Sequence, residues 1–552
     1  MANGYWPFYL KIDGEALKDA MISNLEIRQE LGEHSWCELE FRLLNQQRPP
    51  FESYIGKPLE FVAFGEDGSE TTIFEGFVLH GKLDYELHGD YLARLRGVTR
   101  SYVLQLTPEE DYFLKKDLRE VAEKVVKQDG LELTFDADGP MARMSYVQWE
   151  ETDFDFIKRI ADDQGCFLRP TARGIEIRKG FQDIGHTLRW HDEHGMVKFS
   201  LEGSLGQPSF DGTSYDARTM QSRTFRKVKK SPQFFPDTAS GLVGAVSSQS
   251  EQLPSDRLIF DGRAPKLEMY QGLLEKESAR SIGSKILGHG QSRDYRLKPG
   301  DQVHLAGLQF DAQGDYGLIK VIHYYDLTYG YRNEFTVTPW KDYTSAIQPA
   351  PKRISGVVPA RVVAHNDPRN MGRIQIQYDW MEGNATAWAR MVTPHAGGGR
   401  GFMFMPEKGD EVLVTFEHGD PERPYVVGAL WNGVDVAPRQ GFSGGSGVEA
   451  VAAATGGGPQ PAQVPQPIAA NDVKRIATKN NNRIQFVDDE MGQKNTSIVV
   501  ASAGNQRIQL IDHCAEAGGR KMLCLYTDGD IFLNAPNGRV HIRSKFFSRE
   551  VG

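Results

Sequence analysis

Hydrophobic and polar residues alternate with a period of two along much of the chain, which is the pattern of β-strands that bury one face. Leu25 and Ile27 alternate with charged neighbours, as do Leu39 and Phe41, and the segment 72–78 repeats the pattern. Strands with one apolar and one polar face are typical of antiparallel barrels and sandwiches. The first hundred residues are therefore predicted to be rich in strands.

Three helices are predicted among the strands. Asp117 and Glu120 have the spacing of a capping box before an apolar stripe that repeats every three to four residues. Thr152 has the position of an N-cap for a second amphipathic helix, and a third helix is predicted at about 266–282.

Changes in composition divide the chain into five parts. The segment 438–471 is dominated by Gly, Ala, Pro and Gln, so it cannot bury enough apolar surface to offset its chain entropy, and it is predicted to be a flexible linker. The predicted domains are a strand-rich domain with two helices (1–210), a second strand-rich domain (211–350), a compact β module (351–437), the linker (438–471) and a region of short strands (472–552).

The last 80 residues contain short alternating strands separated by turn residues, including strands at 530–533 and 539–542. Each strand offers only two apolar residues on one face, too few for a solitary domain, because one chain would leave its strand edges and a thin apolar face in water. We expect these strands to form one wall of a prism that two identical chains close with threefold symmetry. The alternative is an ordinary small sandwich. The predicted inward residues are Ile484, Phe486, Ile498, Val500, Ile508, Leu510, Leu523, Leu525, Ile531, Leu533, Val540 and Ile542.

Charge and composition exclude several classes of function. The 552 residues carry a formal charge of −10, which repels nucleic acid at long range, so no nucleic-acid partner is expected. No apolar run reaches the ~18–20 residues of a membrane span. The four cysteines show no metal-binding spacing, and we expect no metal and no cofactor. Residues 1–11 lack the features of a signal peptide.

The segment 406–433, PEKGDEVLVTFEHGDPERPYVVGALWNG, resembles the OB-fold signature of the VgrG spike proteins of type VI secretion systems. The segments 372–380 and 388–390 fit the same module, while 146–165 and 297–301 resemble the hub of that family. The resemblance covers nearly the whole chain.

This resemblance implies a mainly β homotrimer with phage-hub-like N-terminal β-barrels and a few helices, an OB-fold domain, and a C-terminal intertwined triple-stranded β-helix that serves as a needle. It implies a spike that a contractile injection machine drives through a target envelope. The implied partners are an Hcp-type inner tube protein, a PAAR-type tip protein, baseplate components and effector cargo. The protein would be cytoplasmic before firing and then secreted or delivered into the target cell. The machine could equally be a released particle.

Two features concern the ends of the needle. The linker at 438–471 is longer than a rigid spike requires and is predicted to form a surface excursion. The last predicted strand lies close to residue 552, so no effector domain is expected after it. Lys545, Phe546 and Phe547 follow that strand and are predicted to help seat the tip protein, because exposed Phe pairs mark docking patches. The alternative is that they fold back onto the chain's own end.

No motif carries a convincing catalytic pattern, so the chain is not expected to be an enzyme. The GFSGG run at 441–445 lacks the strand and helix of a nucleophile elbow, and the HDEH run at 191–194 is one residue short of a metalloprotease motif. The glycines at 397–401 lack the Lys-Ser/Thr of a phosphate loop. The alternative function is a polysaccharide-cleaving or carbohydrate-binding spike, but the predicted outward positions carry few of the paired carboxylates that cleavage needs.

Two charged runs remain. Arg223, Arg226, Lys227, Lys229 and Lys230 are predicted to form a solvated basic loop, with an anionic partner as the alternative. The sequence Asp528-Gly529-Asp530 is predicted to be a turn rather than a site for a hard cation.

Overall fold

The structure is a computed structural model that describes residues 8–17, 19–43, 50–64, 69–85, 91–137, 141–192, 195–217, 219–257, 267–345, 352–381, 383, 385–434, 473–480, 482–487, 497–504, 506–514, 520–543 and 545. The linker predicted at 438–471 lies outside these residues. The chain divides into two compact units, Met1–Leu430 and Trp431–Gly552. The prediction of a mainly β protein is confirmed, since strands far outnumber helices among the described residues.

The described residues in the first half of unit 1 are rich in strands and contain three helices. Its elements are β1 (Phe8–Ile12), β2 (Glu15–Ala16), β3 (Ala20–Glu30), β4 (Trp36–Leu43), α1 (Phe51–Tyr54), β5 (Pro58–Phe64), β6 (Glu70–Tyr85), β7 (Tyr91–Val98), β8 (Pro108–Lys116), α2 (Leu118–Gln128), β9 (Glu132–Asp136), β10 (Met144–Thr152), α3 (Asp153–Asp163), β11 (Phe167–Pro170), β12 (Gly174–Arg178), β13 (Gln182–Arg189) and β14 (Met196–Gly203).

The rest of unit 1 adds a second group of strands with two helices, and then a compact all-β module. Its elements are β15 (Phe210–Asp216), β16 (Gln221–Val228), α4 (Ser240–Ser250), β17 (Asp256–Arg257), α5 (Leu267–Gly283), β18 (Ile286–Ser292), β19 (Asp301–Ala306), β20 (Gly314–Asp326), β21 (Gly330–Thr338), β22 (Val358–Ala364), β23 (Gln375–Gln377), β24 (Arg390–Met391), β25 (Ala396–Gly397), β26 (Arg400–Gly401), β27 (Glu411–Phe416) and β28 (Pro424–Ala429). Short 3-10 turns lie at Arg100–Gln105, Phe310–Ala312 and Glu417–Gly419.

A 13-stranded sheet forms the main frame of unit 1. Its order is β14-β18-β21-β20-β3-β4-β7-β6-β5-β1-β2, and β19 branches from β20 to pair with β13. The sheet contains strands from both of the predicted strand-rich domains, 1–210 and 211–350. The alternating residues predicted to face inward do so, because Leu25, Ile27, Leu39 and Phe41 are all buried in one core.

The two predicted helix starts are confirmed. Asp117 Oδ1 accepts from the backbone N–H of Glu120 at 2.9 Å, and Glu120 Oε2 accepts from the N–H of Asp117 at 3.1 Å, which completes the capping box of α2. Thr152 Oγ1 accepts from the N–H of Asp155 at 3.2 Å and caps α3. The third predicted helix is α5, within one residue of the expected bounds.

The compact β module is a five-stranded sheet of order β23-β22-β27-β28-β24. Its core, which includes Ile374, Val412 and Val426, is continuous with Tyr112 and Val147 from β8 and β10. The N–H of Ala387 donates to Tyr112 Oη at 2.8 Å. The module is therefore packed on the β8–β10 pair through a shared core and a specific hydrogen bond.

The basic run at 223–230 was expected to be a loop, and this expectation is wrong. Most of it forms β16, which pairs antiparallel with β15. The reason is Phe225, whose buried side chain packs with Phe210 and Tyr270 and so anchors the segment against α5.

Unit 2 is described as a single antiparallel sheet whose strands follow one another in chain order. They are β29 (Val473–Ala477), β30 (Arg483–Val487), β31 (Ser497–Ala501), β32 (Arg507–Cys514) and β33 (Arg520–Tyr526).

Candidate functional site

One face of the unit 2 sheet carries a continuous set of apolar side chains. In β30 to β33 the residues of this face alternate with polar residues, so that the pleat places all of them on one side. The register then sets them opposite one another in neighbouring strands. The directly paired residues are Ile484–Val500, Phe486–Ile498, Ile498–Leu510, Val500–Ile508, Ile508–Leu525 and Leu510–Leu523.

This apolar face is open to solvent in the single chain. The eight side chains are between 40% and 63% exposed, although residues of these types are usually buried. The opposite face differs, because Val499, Ala501 and Ile511 are each at most 8% exposed. A contiguous exposed apolar surface of this kind marks an interaction site rather than scattered surface hydrophobes.

One further residue belongs to this face and was not among the predicted inward residues. Ile476 in β29 pairs directly with Ile484 and is 43% exposed. Its strand follows the linker and shows only a weak period of two, with Lys474 and Arg475 before it. We use the name needle face for the nine side chains, which are Ile476, Ile484, Phe486, Ile498, Val500, Ile508, Leu510, Leu523 and Leu525.

The strands predicted at 530–533 and 539–542 are not formed in the single chain, which corrects that expectation. Among the described residues of 527–543 there is no strand, and Ile531, Leu533, Val540 and Ile542 are all exposed. A strand requires a hydrogen-bonded neighbour, and the sheet of this chain ends at β33.

The predicted docking patch for a tip protein lies at the margin of the described residues. Lys545 is described and exposed, whereas Phe546 and Phe547 lie outside the described residues. The patch stays a prediction.

The catalytic and metal-binding candidates form no constellation where the structure describes them. His191 and Asp192 lie at a turn after β13, and residues 193–194 and 441–445 lie outside the described residues. The glycines at 397–401 form the β25–β26 hairpin, and Asp528 and Asp530 are exposed in an irregular segment. Across the described ranges, no three His, Cys, Asp or Glu side chains converge as a metal-binding group. Over the same ranges, no helix has the length and apolar character needed to cross a membrane.

A buried charge cluster, also missed in the sequence, fixes α3 beside the compact β module. Arg159 is buried and donates to both carboxylate oxygens of Glu151, with Nη2–Oε2 at 2.9 Å and Nε–Oε1 at 3.1 Å. Arg159 Nη2 also donates to the carbonyl of Val147 at 3.0 Å, and Nη1 lies 4.0 Å from Glu422 Oε1 in the compact module. Because Glu151 and Arg159 lie eight residues apart in different elements, no local pattern reveals the pairing.

Comparison with known families identifies two domains in the chain. Residues 30–198 match the phage tail baseplate hub family, and residues 358–431 match the type VI secretion system/phage-baseplate injector OB domain. The resemblance inferred from the sequence is confirmed for both regions, as is the prediction of an OB-fold module.

The chain is also similar to curated spike proteins of type VI secretion systems. It is 25% identical over 422 residues to VgrG5 of Pseudomonas aeruginosa, which covers 66% of this chain and 51% of the relative. It is 27% identical over 478 residues to VgrG3 of Vibrio cholerae, which covers 78% of this chain and 45% of the relative. The chain therefore spans about half the length of these relatives.

Two solved structures share the fold. A chain of the Francisella PdpA–VgrG complex superimposes with a TM-score of 0.57 at 9% identity, covering 94% of this chain and 88% of that chain. The Escherichia coli c3393 protein, described as a component of the type VI secretion system similar to the phage T4 tail proteins gp27 and gp5, superimposes with a TM-score of 0.50 at 17% identity, covering 76% of this chain and 99% of that chain. At these identities the likeness concerns the fold alone.

Proposed function

Because the chain combines a phage baseplate hub domain with an injector OB domain and is related to VgrG spike proteins, we propose that it is the structural spike subunit of a contractile injection machine. In this proposal three copies assemble around one axis, and the strands of unit 2 form the needle. The role is mechanical: the spike punctures a target envelope and performs no catalysis.

The needle face is the observation that carries the proposal. Nine large apolar side chains lie half exposed on one side of a five-stranded sheet, while the other side is largely buried. Burying the exposed half of one such side chain contributes about 1 kcal/mol, so a closed arrangement of three chains gains substantially from this face alone. In a closed threefold arrangement, each needle face also contacts the needle faces of the other two chains.

The irregular segment at 527–543 fits the same assembly. It carries Ile531, Leu533, Val540 and Ile542, and among the described residues of its own chain it has no strand partner. In the proposed trimer these four residues pair with the neighbouring chains and complete the predicted set of twelve inward residues. Pairing every inner strand edge with another chain makes the needle stiff.

The proposed partners are those that the resemblance to VgrG spike proteins implies. We propose that the hub rests on an Hcp-type inner tube within a baseplate, and that the needle end carries a PAAR-type tip protein with effector cargo. The predicted docking residues Lys545, Phe546 and Phe547 belong to this tip contact. The spike is made in the cytoplasm and leaves the cell when the machine fires.

The oligomeric state of the full chain tests the proposal. Sedimentation equilibrium of the wild type is expected to give three times the mass of the 61.8 kDa chain. Ile508→Asp places three carboxylates around one axis, where they repel one another and are costly to bury, so this variant is expected to dissociate.

The matched control is Asn480→Asp, which adds the same charge at an exposed position off the needle face. It should remain trimeric. A wild-type chain that sediments as a folded single subunit, or an Ile508→Asp variant that remains a stable trimer, would contradict the proposed needle.

A further inference from the structure

Basic side chains form a strip along β16 and the two residues after it. Its five cations are all exposed in a chain whose formal charge is −10. Among the described residues only one of them forms an ion pair, in which Lys229 Nζ lies 3.0 Å from Glu251 Oε1. The basic strip consists of Arg223, Arg226, Lys227, Lys229 and Lys230.

The backbone beneath the basic strip is held in place. Arg226 and Lys227 form a bulge, since they lie between the pairs Phe210–Val228 and Gly212–Phe225. Lys227 adopts the left-handed conformation with φ 50°, and its N–H donates to Asp211 Oδ1 at 2.7 Å. Bulges of this kind redirect side chains out of the regular alternation, and here they place two consecutive cations in solvent.

Both ends of the basic strip are anchored as well. The guanidinium of Arg223 lies over the ring of the buried Phe225, with 4.8 Å between the guanidinium carbon and the ring centroid. The N–H of Lys230 donates to Ser278 Oγ of α5 at 3.1 Å. A ligand that binds here therefore orders little backbone, which lowers the entropic cost of association.

The positive region extends beyond the basic strip. Burial raises the pKa of Asp342, while the positive charges of Lys230, Lys341 and Lys179 act in the opposite direction. Lys179 and Lys341 are both exposed. Two further exposed cations therefore act on the same carboxylate as Lys230 of the basic strip.

β16 is also the outer strand of its sheet, whose order is β16-β15-β17, and within the described residues no strand pairs with its outer edge. An exposed edge offers backbone hydrogen bonds to an extended segment, and the cations select the charge of that segment. We propose that β16 is a docking site for an extended acidic segment of a partner protein.

Charge distinguishes this partner from nucleic acid. A double helix extends far beyond the basic strip of a chain whose formal charge is −10, whereas a short acidic segment contacts only the strip. Screening over about 8 Å at physiological salt lets the strip act locally in spite of the net negative charge. The inference does not depend on the puncturing role of the protein.

Fluorescence anisotropy with the full chain tests the docking site. The probe is a fluorescein-labelled peptide of alternating Glu and Thr with the eight-residue length of β16. The wild type is expected to bind it, with severalfold weaker affinity when salt is raised from about 50 to 200 mM. Arg226→Glu/Lys230→Glu should bind about tenfold more weakly, because two attractions become repulsions.

The matched control is Lys198→Glu/Lys408→Glu, which changes the net charge by the same amount at exposed positions outside the basic strip. It should bind like the wild type. Lys227→Gly removes one charge where the backbone favours glycine, so it retains the fold and should weaken binding about threefold. Equal losses in both double variants, no binding by the wild type, or tighter binding of a double-stranded DNA oligonucleotide than of the peptide would each overturn the proposal.

Discussion

The buried ion pair between Glu151 and Arg159 makes a sharp prediction for the stability of unit 1. Both side chains are at most 7% exposed. Glu151→Ala leaves Arg159 with the carbonyl of Val147 and with Glu422 at 4.0 Å. Removing one partner of a buried pair leaves the other charge without that partner in a poorly solvated site. We therefore expect a loss of about 3–5 kcal/mol in the free energy of unfolding.

Two further variants separate this loss from simple removal of a contact. Glu422→Ala should cost less than about 1 kcal/mol, because that carboxylate is more exposed and more distant from the guanidinium. Glu151→Leu/Arg159→Met replaces both charges with apolar side chains, and it should retain much more stability than Glu151→Ala. The order of the three variants therefore tests the desolvation argument itself.

Urea unfolding followed by tryptophan fluorescence is the assay. Trp149 and Trp380 lie with ring centroids 5.8 Å apart, across the contact between the β8–β10 pair and the compact module, so their emission reports on this region. The free energies of unfolding are compared with one common m-value, which is the slope of the free energy against urea concentration. The reasoning is refuted if Glu151→Ala destabilises no more than Glu422→Ala, or if the double variant is the least stable of the three.

Two further predictions concern single glycines and buried histidines. Gly290→Ala would place its Cβ 2.1 Å from Phe335 Cζ in the neighbouring strand, so it should lower the stability measured in a thermal melt by about 1–3 kcal/mol. Gly244→Ala, in an open position of α4, should instead raise the stability by about 0.5–1 kcal/mol. Equal effects of the two substitutions would contradict the close approach of Gly290 and Phe335. Burial lowers the pKa of His34 to about 4 and that of His323 to about 3, so the unfolded chain binds these protons first and stability should fall as pH drops from about 6.5 towards 4. Urea midpoints at pH 7 and pH 5 measure this effect. His34→Gln should lose less stability than the wild type between these two pH values, and equal losses would contradict the role of His34.

Local chemistry was sufficient to predict much of the fold. The capping box of Asp117 and Glu120 depends on residues three apart, and the period of two in β3 and β4 depends on nearest neighbours. The same argument identified Ile484, Ile498 and Ile508 as residues of one face, and the register places them together on the needle face. These features follow from backbone geometry, which short stretches of sequence determine.

Long-range packing decided the rest. The basic run became a strand because Phe225 is buried against α5, some fifty residues away in the chain, and the charge pair of Arg159 and Glu151 depends on how α3 packs on β10. β20 pairs with β3 although almost three hundred residues separate them. Local periodicity thus specifies which residues can form strands, caps and an apolar face. Which strands pair and which charges meet depends on the folded chain, because hydrogen-bond partners and burial are supplied by segments that are distant in the chain.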